Sequence, residues 1–182
     1  ANAKKDPSYF IGGVSQDLPF SFNVTSIESG SYFVLEGDEY DTAFWDKVPK
    51  FNHYLPNDVI LTSVEFDHAD IYADLKAVEK AFEGLMTRIR SNGRLIACVD
   101  YPSVEKLLPL AQVPILTYSV KKGRARFAPI DVRNDDEFIR FKVWDGEKQT
   151  TSSEVSIRLP GMHNVMNALS VFIECKELGL SE

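Results

Sequence analysis

The stretch that decides the fold is Leu95-Ile96-Ala97-Cys98-Val99, a continuous apolar run that follows the turn residues Ser91-Asn92-Gly93. A strand that is apolar at every position is typical of a parallel sheet covered on both faces, because a strand with one solvated face alternates. Ahead of it, apolar residues from Ile71 to Ile89 recur at three- and four-residue spacing. This spacing predicts a helix with one buried stripe. A helix that leads into a buried strand is the repeating unit of an α/β fold.

Further apolar runs extend this pattern in both directions. Val59-Ile60-Leu61 and residues 113–118 predict the neighbouring strands, and residues 103–110 predict a short helix between two of them. Nearer the N-terminus, Ile11-Gly12-Gly13-Val14 and residues 32–35 predict two more strands. Strands joined in this way form a mostly parallel sheet with right-handed crossovers, flanked by helices.

The pattern changes in the last third of the chain. Residues 138–144 and 155–159 alternate apolar and polar side chains, and Asp145-Gly146-Glu147 is a hairpin signal. We expect a small antiparallel β layer over about 121–159, with the basic run 121–126 as a solvated hairpin tip. A final helix is predicted from Pro160-Gly161 to a C-terminal cap at Gly179.

Composition bounds the function. The chain has 182 residues, 44% of them hydrophobic, which is enough for one main folded unit. Its net charge of -7 argues against a nucleic-acid partner, since phosphate backbones attract clustered Lys and Arg. Cys98 and Cys175 are read as small core residues in a reducing compartment. With no membrane-spanning stretch and no apolar leader in the first residues, we expect a cytoplasmic protein without a membrane partner.

Two acidic clusters follow predicted strands. Glu36 comes directly after residues 32–35, and Asp67-His68 follows the next strand and is expected to open the long helix. Carboxylate oxygens in such positions suit the Mg²⁺ of a bound nucleotide. The alternative for either acid is a helix cap or a solvated loop residue, and Asp70 or Asp74 is expected to complement the helix dipole.

A third cluster opens the final helix. Asn164 and Asn167 are three residues apart and so share a helix face, where two carboxamides can read the edge of a purine ring. Capping is the alternative for Asn164 but accounts poorly for Asn167. The glycine-rich phosphate loop that ends in Gly-Lys-Ser/Thr is absent, so the chain either is no NTPase or is a fragment that begins after that loop.

Together these clusters resemble the central ATP-binding domain of the Mur ligase family. The likeness rests on three stretches: residues 33–47, which begin Phe33-Val34-Leu35-Glu36-Gly37-Asp38-Glu39-Tyr40-Asp41, then Glu65-Phe66-Asp67-His68-Ala69-Asp70, and Gly161-Met162-His163-Asn164-Val165-Met166-Asn167. It extends from about Tyr9 to the end of the chain. Within the family, Tyr40 is typical of the subgroup that joins L-alanyl-γ-D-glutamyl-meso-diaminopimelate to UDP-N-acetylmuramate, whereas the alanine-adding subgroup usually has Ser there.

The resemblance implies a mechanism and residue roles. ATP phosphorylates the muramyl carboxylate, and the peptide amine then attacks the acyl phosphate. Glu36 and His68 would act in catalysis by binding Mg²⁺, and His163, Asn164 and Asn167 would bind adenine. The family often has Asn where this chain has Ser63, so no role is carried over to Ser63. The whole of 1–182 would be a partial central domain without its P-loop strand and helix, inactive by itself and used in peptidoglycan recycling.

Three other functions remain open from the residues. The first is a UDP-N-acetylmuramate–L-alanine ligase, which uses the same chemistry on a smaller nucleophile. The second is a non-catalytic nucleotide-binding module. The third is a metal-dependent hydrolase built on Glu36, Asp67 and His68, although the sequence supplies no obvious further ligands.

Overall fold

The computed structural model of the chain describes residues 6–25 and 32–181. It divides into two compact units, residues 1–39 and 40–182, where composition predicted one. The reason is the distribution of the core, because both clusters of buried apolar side chains belong to the second unit. Residues 1–5, in which the sequence shows no apolar leader, lie outside the described residues.

The first unit is a three-stranded sheet. Its strands are β1 (Ser8–Phe10), β2 (Phe22–Asn23) and β3 (Phe33–Leu35), and β1 lies in the middle, parallel to β3 and antiparallel to β2. The strand predicted over 11–14 is wrong, because β1 ends at Phe10 and the two glycines that follow form a bend. All three residues of β3 are exposed within the described chain, whereas the sequence pattern predicted a strand covered on both faces.

The second unit contains a hairpin and a six-stranded sheet. The hairpin pairs β4 (Asp41–Ala43) with β5 (Asp46–Pro49), and Phe44 and Trp45 are highly exposed at its tip. The sheet strands, in chain order, are β6 (Asp58–Leu61), β7 (Arg94–Cys98), β8 (Ile115–Tyr118), β9 (Phe127–Asn134), β10 (Ile139–Asp145) and β11 (Thr150–Ile157).

These six strands follow one another in space in reverse chain order, from β11 to β6. The pairs from β6 to β9 are parallel, and the pairs β9–β10 and β10–β11 are antiparallel. The α/β class with a mostly parallel sheet is therefore confirmed. The antiparallel strands extend the same sheet, however, and do not form a separate layer.

The basic run 121–126 is not a hairpin tip, because it joins two parallel strands, β8 and β9. Its last residue, Arg126, makes two hydrogen bonds of 3.2 Å to the carboxylate of Asp145, which is 1% exposed. Burial of that carboxylate requires a paired cation. The run therefore has a structural role that the solvated interpretation missed.

Three helices flank the sheet: α1 (Leu75–Met86), α2 (Pro102–Leu107) and α3 (Met162–Glu177). Helix α1 begins later than predicted because Asp74 caps it, accepting a 2.9 Å hydrogen bond from the Ala77 amide. Asp67-His68 consequently lies in a loop ahead of the helix and does not open it. Short 3₁₀ turns occupy Lys50–His53 and Leu108–Leu110, and Gly179 follows α3 with a positive φ of 73°.

The core lies on both faces of the six-stranded sheet. Alternate residues of β7 point to opposite faces: Leu95 and Ala97 pack with α1 and α2, while Ile96 and Cys98 pack with α3 and the antiparallel strands. This explains why every position of the run is apolar. Burial raises the pKa of the Cys98 thiol to about 11 and also raises the pKa of Cys175 on α3.

A group of charged side chains joins α3 to the amino ends of β6 and β7. Arg94 lies 3.1 Å from Asp58 and 3.5 Å from Glu177, and Glu174 lies beside Asp58. Oε2 of Glu174 is buried and has no hydrogen-bond partner among the described residues. Burial, together with the neighbouring Asp58 carboxylate, raises the pKa of Glu174 to about 7. Among the described helices, none has the length and apolarity needed to cross a membrane.

Candidate functional site

The carboxyl ends of β6, β7 and β8 meet at one edge of the sheet because the three strands are parallel. This is the edge at which open α/β sheets bind ligands. The Asp67-His68 loop follows β6, Asp100 follows β7 and Ser119 follows β8. The sequence predicted the first of these groups and missed the other two.

The backbone of His68 is held in an uncommon conformation. Its φ of 52° lies in the left-handed region, which costs energy for a residue with a Cβ. Its amide donates a 2.6 Å hydrogen bond to the Asp67 carboxylate, and its carbonyl accepts hydrogen bonds from the amides of Ile71 (2.9 Å) and Tyr72 (3.0 Å). These bonds fix the turn that presents the imidazole.

Tyr40, which precedes β4, contacts the same loop. Its ring meets the imidazole of His68 edge-on, with ring centroids 4.9 Å apart and planes at 88°. Its hydroxyl donates a hydrogen bond to Asp70. This bond lowers the pKa of Asp70 and raises the pKa of Tyr40. Tyr40 of the first predicted motif is thereby brought together with His68 and Asp70 of the second, although the two motifs are distant in sequence.

Asp100 organises the neighbouring loop. Its carboxylate accepts hydrogen bonds from the Ser119 hydroxyl at 2.6 Å and the Val120 amide at 2.7 Å, and Arg124 lies 3.9 Å away. A carboxylate directly after a buried strand was the signal that singled out Glu36. The same signal applied to residues 95–99 would have found Asp100.

Glu36 occupies the equivalent place in the first unit, after β3. Its carboxylate accepts a 2.5 Å hydrogen bond from the Gly12 amide, and its own amide donates to the carbonyl of Phe10 at 3.1 Å. A Cβ on residue 12 would stand only 3.1 Å from Oε2 of Glu36, so glycine permits this close approach. The Glu36 carboxylate is thus fixed at the carboxyl end of two parallel strands.

These donors fit Mg²⁺ bound together with phosphates. Within residues 6–25 and 32–181, no group of three or more His, Cys, Asp or Glu side chains could hold a metal ion. Mg²⁺ on a nucleotide, however, needs only one or two protein ligands, with phosphate oxygens and water supplying the rest. The Glu36 carboxylate is a suitable donor. His68 belongs to the other unit and supplies an imidazole, which Mg²⁺ uses less often.

The start of α3 carries the predicted base-binding residues. Gly161 precedes the helix with a φ of 97°, and a Cβ there would come within 2.6 Å of the His163 ring. The Asn164 amide group donates to the carbonyl of Pro160 at 2.7 Å and lies 3.1 Å from Nε2 of His163. Asn167, one turn further on, is exposed. Asn164 therefore ties the helix to the preceding loop.

With this fold and these loops in place, the chain belongs to the Mur ligase family: residues 15–175 match its middle domain. One relative is the UDP-N-acetylmuramate–L-alanine ligase of Chlorobium phaeobacteroides (strain BS1), 36% identical over 98% of this chain and 36% of that protein. Another is the UDP-N-acetylmuramate–L-alanyl-gamma-D-glutamyl-meso-2,6-diaminoheptandioate ligase of Escherichia coli (strain K12), 33% identical over 96% of this chain and 36% of that protein.

A solved structure is similar over nearly the whole chain. It is the UDP-N-acetylmuramate:L-alanyl-gamma-D-glutamyl-meso-diaminopimelate ligase from Neisseria meningitides, with a TM-score of 0.80 and 31% identity. The match covers 96% of this chain and 53% of that chain. The chain thus spans about a third of the length of the two curated relatives.

Proposed function

We propose that the whole protein is a cytoplasmic ATP-dependent ligase that joins L-alanyl-γ-D-glutamyl-meso-diaminopimelate to UDP-N-acetylmuramate in peptidoglycan recycling. The likeness to the Neisseria ligase carries this proposal, because a TM-score of 0.80 at 31% identity extends over 96% of the chain. Tyr40 supports the same choice, since tyrosine there is typical of the peptide-adding subgroup. This chain would be part of the nucleotide-binding domain, covering residues 1–182 and inactive by itself.

The second candidate is a UDP-N-acetylmuramate–L-alanine ligase. The observation that favours it is the 36% identity to the Chlorobium enzyme over 178 residues. The two candidates share the activated carboxylate and differ in the amine that attacks it. Because this chain spans about a third of the curated relatives, recognition of that amine would involve the rest of the protein.

In the proposed reaction the residues of this chain hold the nucleotide and its metal. Glu36 and His68 would bind Mg²⁺, and His163, Asn164 and Asn167 would bind adenine. When bound, Mg²⁺ and ATP supply the phosphoryl group that activates the muramyl carboxylate. The hydrogen bond from Gly12 orients the Glu36 carboxylate beforehand, so binding requires little rearrangement there.

The experiment that tests the proposal uses the full-length enzyme with ATP, UDP-N-acetylmuramate and either the tripeptide or L-alanine. The value of kcat/KM for phosphate release should be about 100-fold higher with the tripeptide than with L-alanine. A site that binds the tripeptide has polar groups that would be left without hydrogen-bond partners when L-alanine is bound. A preference for L-alanine would establish the second candidate. Turnover with neither acceptor would point to a non-catalytic binding module.

The metal role needs its own variants. His68→Ala should lower kcat by about 100-fold or more, because the variant would lose a ligand of the Mg²⁺ that stabilises the phosphoryl group during its transfer. His53→Ala is the control, because His53 is likewise a histidine beside a carboxylate, 2.8 Å from that of Asp46, but it follows the hairpin and is more exposed than the half-buried His68. Equal activity of both variants would remove His68 from the site.

A further inference from the structure

Tyr40 links the hairpin to the loop that carries His68. It stands directly before β4, and its side chain crosses to the loop after β6, where it touches His68 and Asp70. Residues 40 and 68 are distant in sequence, so this contact is made only by folding.

The turn around residue 68 fixes the backbone of His68 but not the plane of its ring. The hydrogen bonds of the His68 amide and carbonyl act on the main chain alone. The edge-on contact with Tyr40 acts on the imidazole itself, since aromatic rings at 4.9 Å and 88° favour this orientation over free rotation. The bond from the Tyr40 hydroxyl to Asp70 in turn prevents the tyrosine ring from swinging away.

We propose that Tyr40 is a positioning residue for His68: its ring sets the imidazole orientation, and its hydroxyl, anchored on Asp70, keeps that ring in place. The inference rests on the proposed role of His68 as a ligand of a nucleotide-bound metal. Orientation matters for such a ligand, because a misplacement of about 1 Å can cost roughly 100-fold in rate.

The first readout is independent of activity and uses the 182-residue chain without metal. In NMR spectra, the ring protons of His68 should show the shift caused by the Tyr40 ring and cross-peaks to it. Tyr40→Ser should abolish both and average the His68 side-chain couplings, whereas Tyr40→Phe should keep the ring effects. Unchanged His68 signals in Tyr40→Ser would overturn the proposal. His53 and His163 serve as internal controls in the same spectra.

The second readout is binding of Mn²⁺ to the full-length enzyme with ADP, measured by electron paramagnetic resonance without turnover. Tyr40→Ser should weaken Mn²⁺ binding about tenfold, and Tyr40→Phe and Asp70→Asn should each weaken it less. The double variant Tyr40→Phe/Asp70→Asn should be no weaker than either single variant, because both remove the same bond. Additive losses would show that Tyr40 does not act through Asp70 and would overturn the anchoring step.

A variant of His68 separates the two hypotheses. If His68→Ala leaves Mn²⁺ binding unchanged, the metal role under the proposed function is wrong. If His68→Ala weakens binding but Tyr40→Ser does not, only the positioning role of Tyr40 is wrong. In the His68→Ala background, Tyr40→Ser should have no further effect, and an undiminished effect there would contradict the inference. Tyr40→Phe retains the ring and tests the hydroxyl even if Tyr40→Ser is poorly folded.

Discussion

The carboxamides of Asn164 and Asn167 do different work in the structure although they share a helix face. Asn164 donates to the Pro160 carbonyl and so holds the loop ahead of α3. Asn167 is exposed, and its side chain makes no such bond within the described part of the chain. An exposed carboxamide one turn inside a helix is better placed to contact a ligand than to support the fold.

In the full-length enzyme, Asn167→Ala should raise KM for ATP about tenfold, equivalent to about 1.4 kcal/mol for a lost hydrogen bond. KM for UDP-N-acetylmuramate and the melting temperature should change little. Asn164→Ala should raise KM for ATP as well but should also lower the melting temperature, because it frees the Pro160 carbonyl. Steady-state kinetics and thermal unfolding measure both effects.

Asn92→Ala is the control for this pair, since Asn92 is exposed in the turn between α1 and β7. It should leave KM for ATP unchanged. Equal rises of both substrate constants in Asn167→Ala would mean that the start of α3 is structural only.

At the scale of elements, the periodic segments were predictable and the local exceptions were not. Helix α3 and the strands β6, β7 and β8 are each marked by an apolar pattern of the right period. The sequence pattern did not predict strand β9, because Pro129 and a polar second half interrupt the alternation. The strand forms because it pairs with β10 in the sheet. The sequence pattern did not predict the hairpin β4–β5 either, because its strands are short and its two most apolar residues, Phe44 and Trp45, are exposed at the tip.

In the candidate site, too, some features could be predicted from sequence and others could not. The positions of Glu36 and His68 after strands could be predicted from sequence, since position after a strand is a local property, and their role in metal binding stays a prediction. The contact between Tyr40 and His68 could not, since it depends on how residues 41–67 fold back. The start of α1 was placed too early because Asp74, and not Asp70, accepts the capping hydrogen bond.

The junction of α3 with β6 and β7 should make stability depend on pH. The pKa of Glu174 is raised to about 7, from 4.5 in an unfolded chain, by burial and by Asp58. The folded state therefore binds the proton of the Glu174 carboxyl group more tightly than the unfolded state does. The stabilisation is complete below about pH 4.5 and is lost as the pH rises through about 7.

Glu174→Gln should remove this dependence. Between pH 5 and pH 8 the free energy of unfolding of the wild type should fall relative to that of the variant by about 1 kcal/mol, less than the full shift because Glu174 is only half-buried. Urea unfolding at several pH values measures the difference. Groups that the substitution leaves unchanged contribute equally to both proteins, so their contributions cancel in the difference. Parallel pH profiles would show that Glu174 is not protonated in the folded chain.

At the scale of the whole molecule, the described chain carries its core unevenly. Both apolar clusters lie within residues 40–182, from Phe51 to Ile173, while all three residues of β3 in the first unit are exposed. Stability on folding comes chiefly from buried apolar area. The second unit therefore contains what a cooperative fold requires.

Residues 40–182 expressed alone should fold cooperatively and keep the near-ultraviolet circular dichroism of Trp144 in its packed surroundings. The thermal transition should remain a single step, because one sheet is shared by both clusters. Calorimetry and circular dichroism test this. A broad transition without tertiary signal would show that residues 1–39 are needed for the fold.

The two thiols of this chain have a practical consequence for spectroscopy. A thiol reagent attacks the thiolate, and with a pKa of about 11 only about one Cys98 thiol in ten thousand is ionised at neutral pH. Partial burial also raises the pKa of the Cys175 thiol, which disfavours its reactive thiolate form. A cysteine introduced at Phe44, which is 87% exposed at the hairpin tip, would therefore react first. A fluorophore can be attached to the β4–β5 hairpin in this way without first removing either native cysteine.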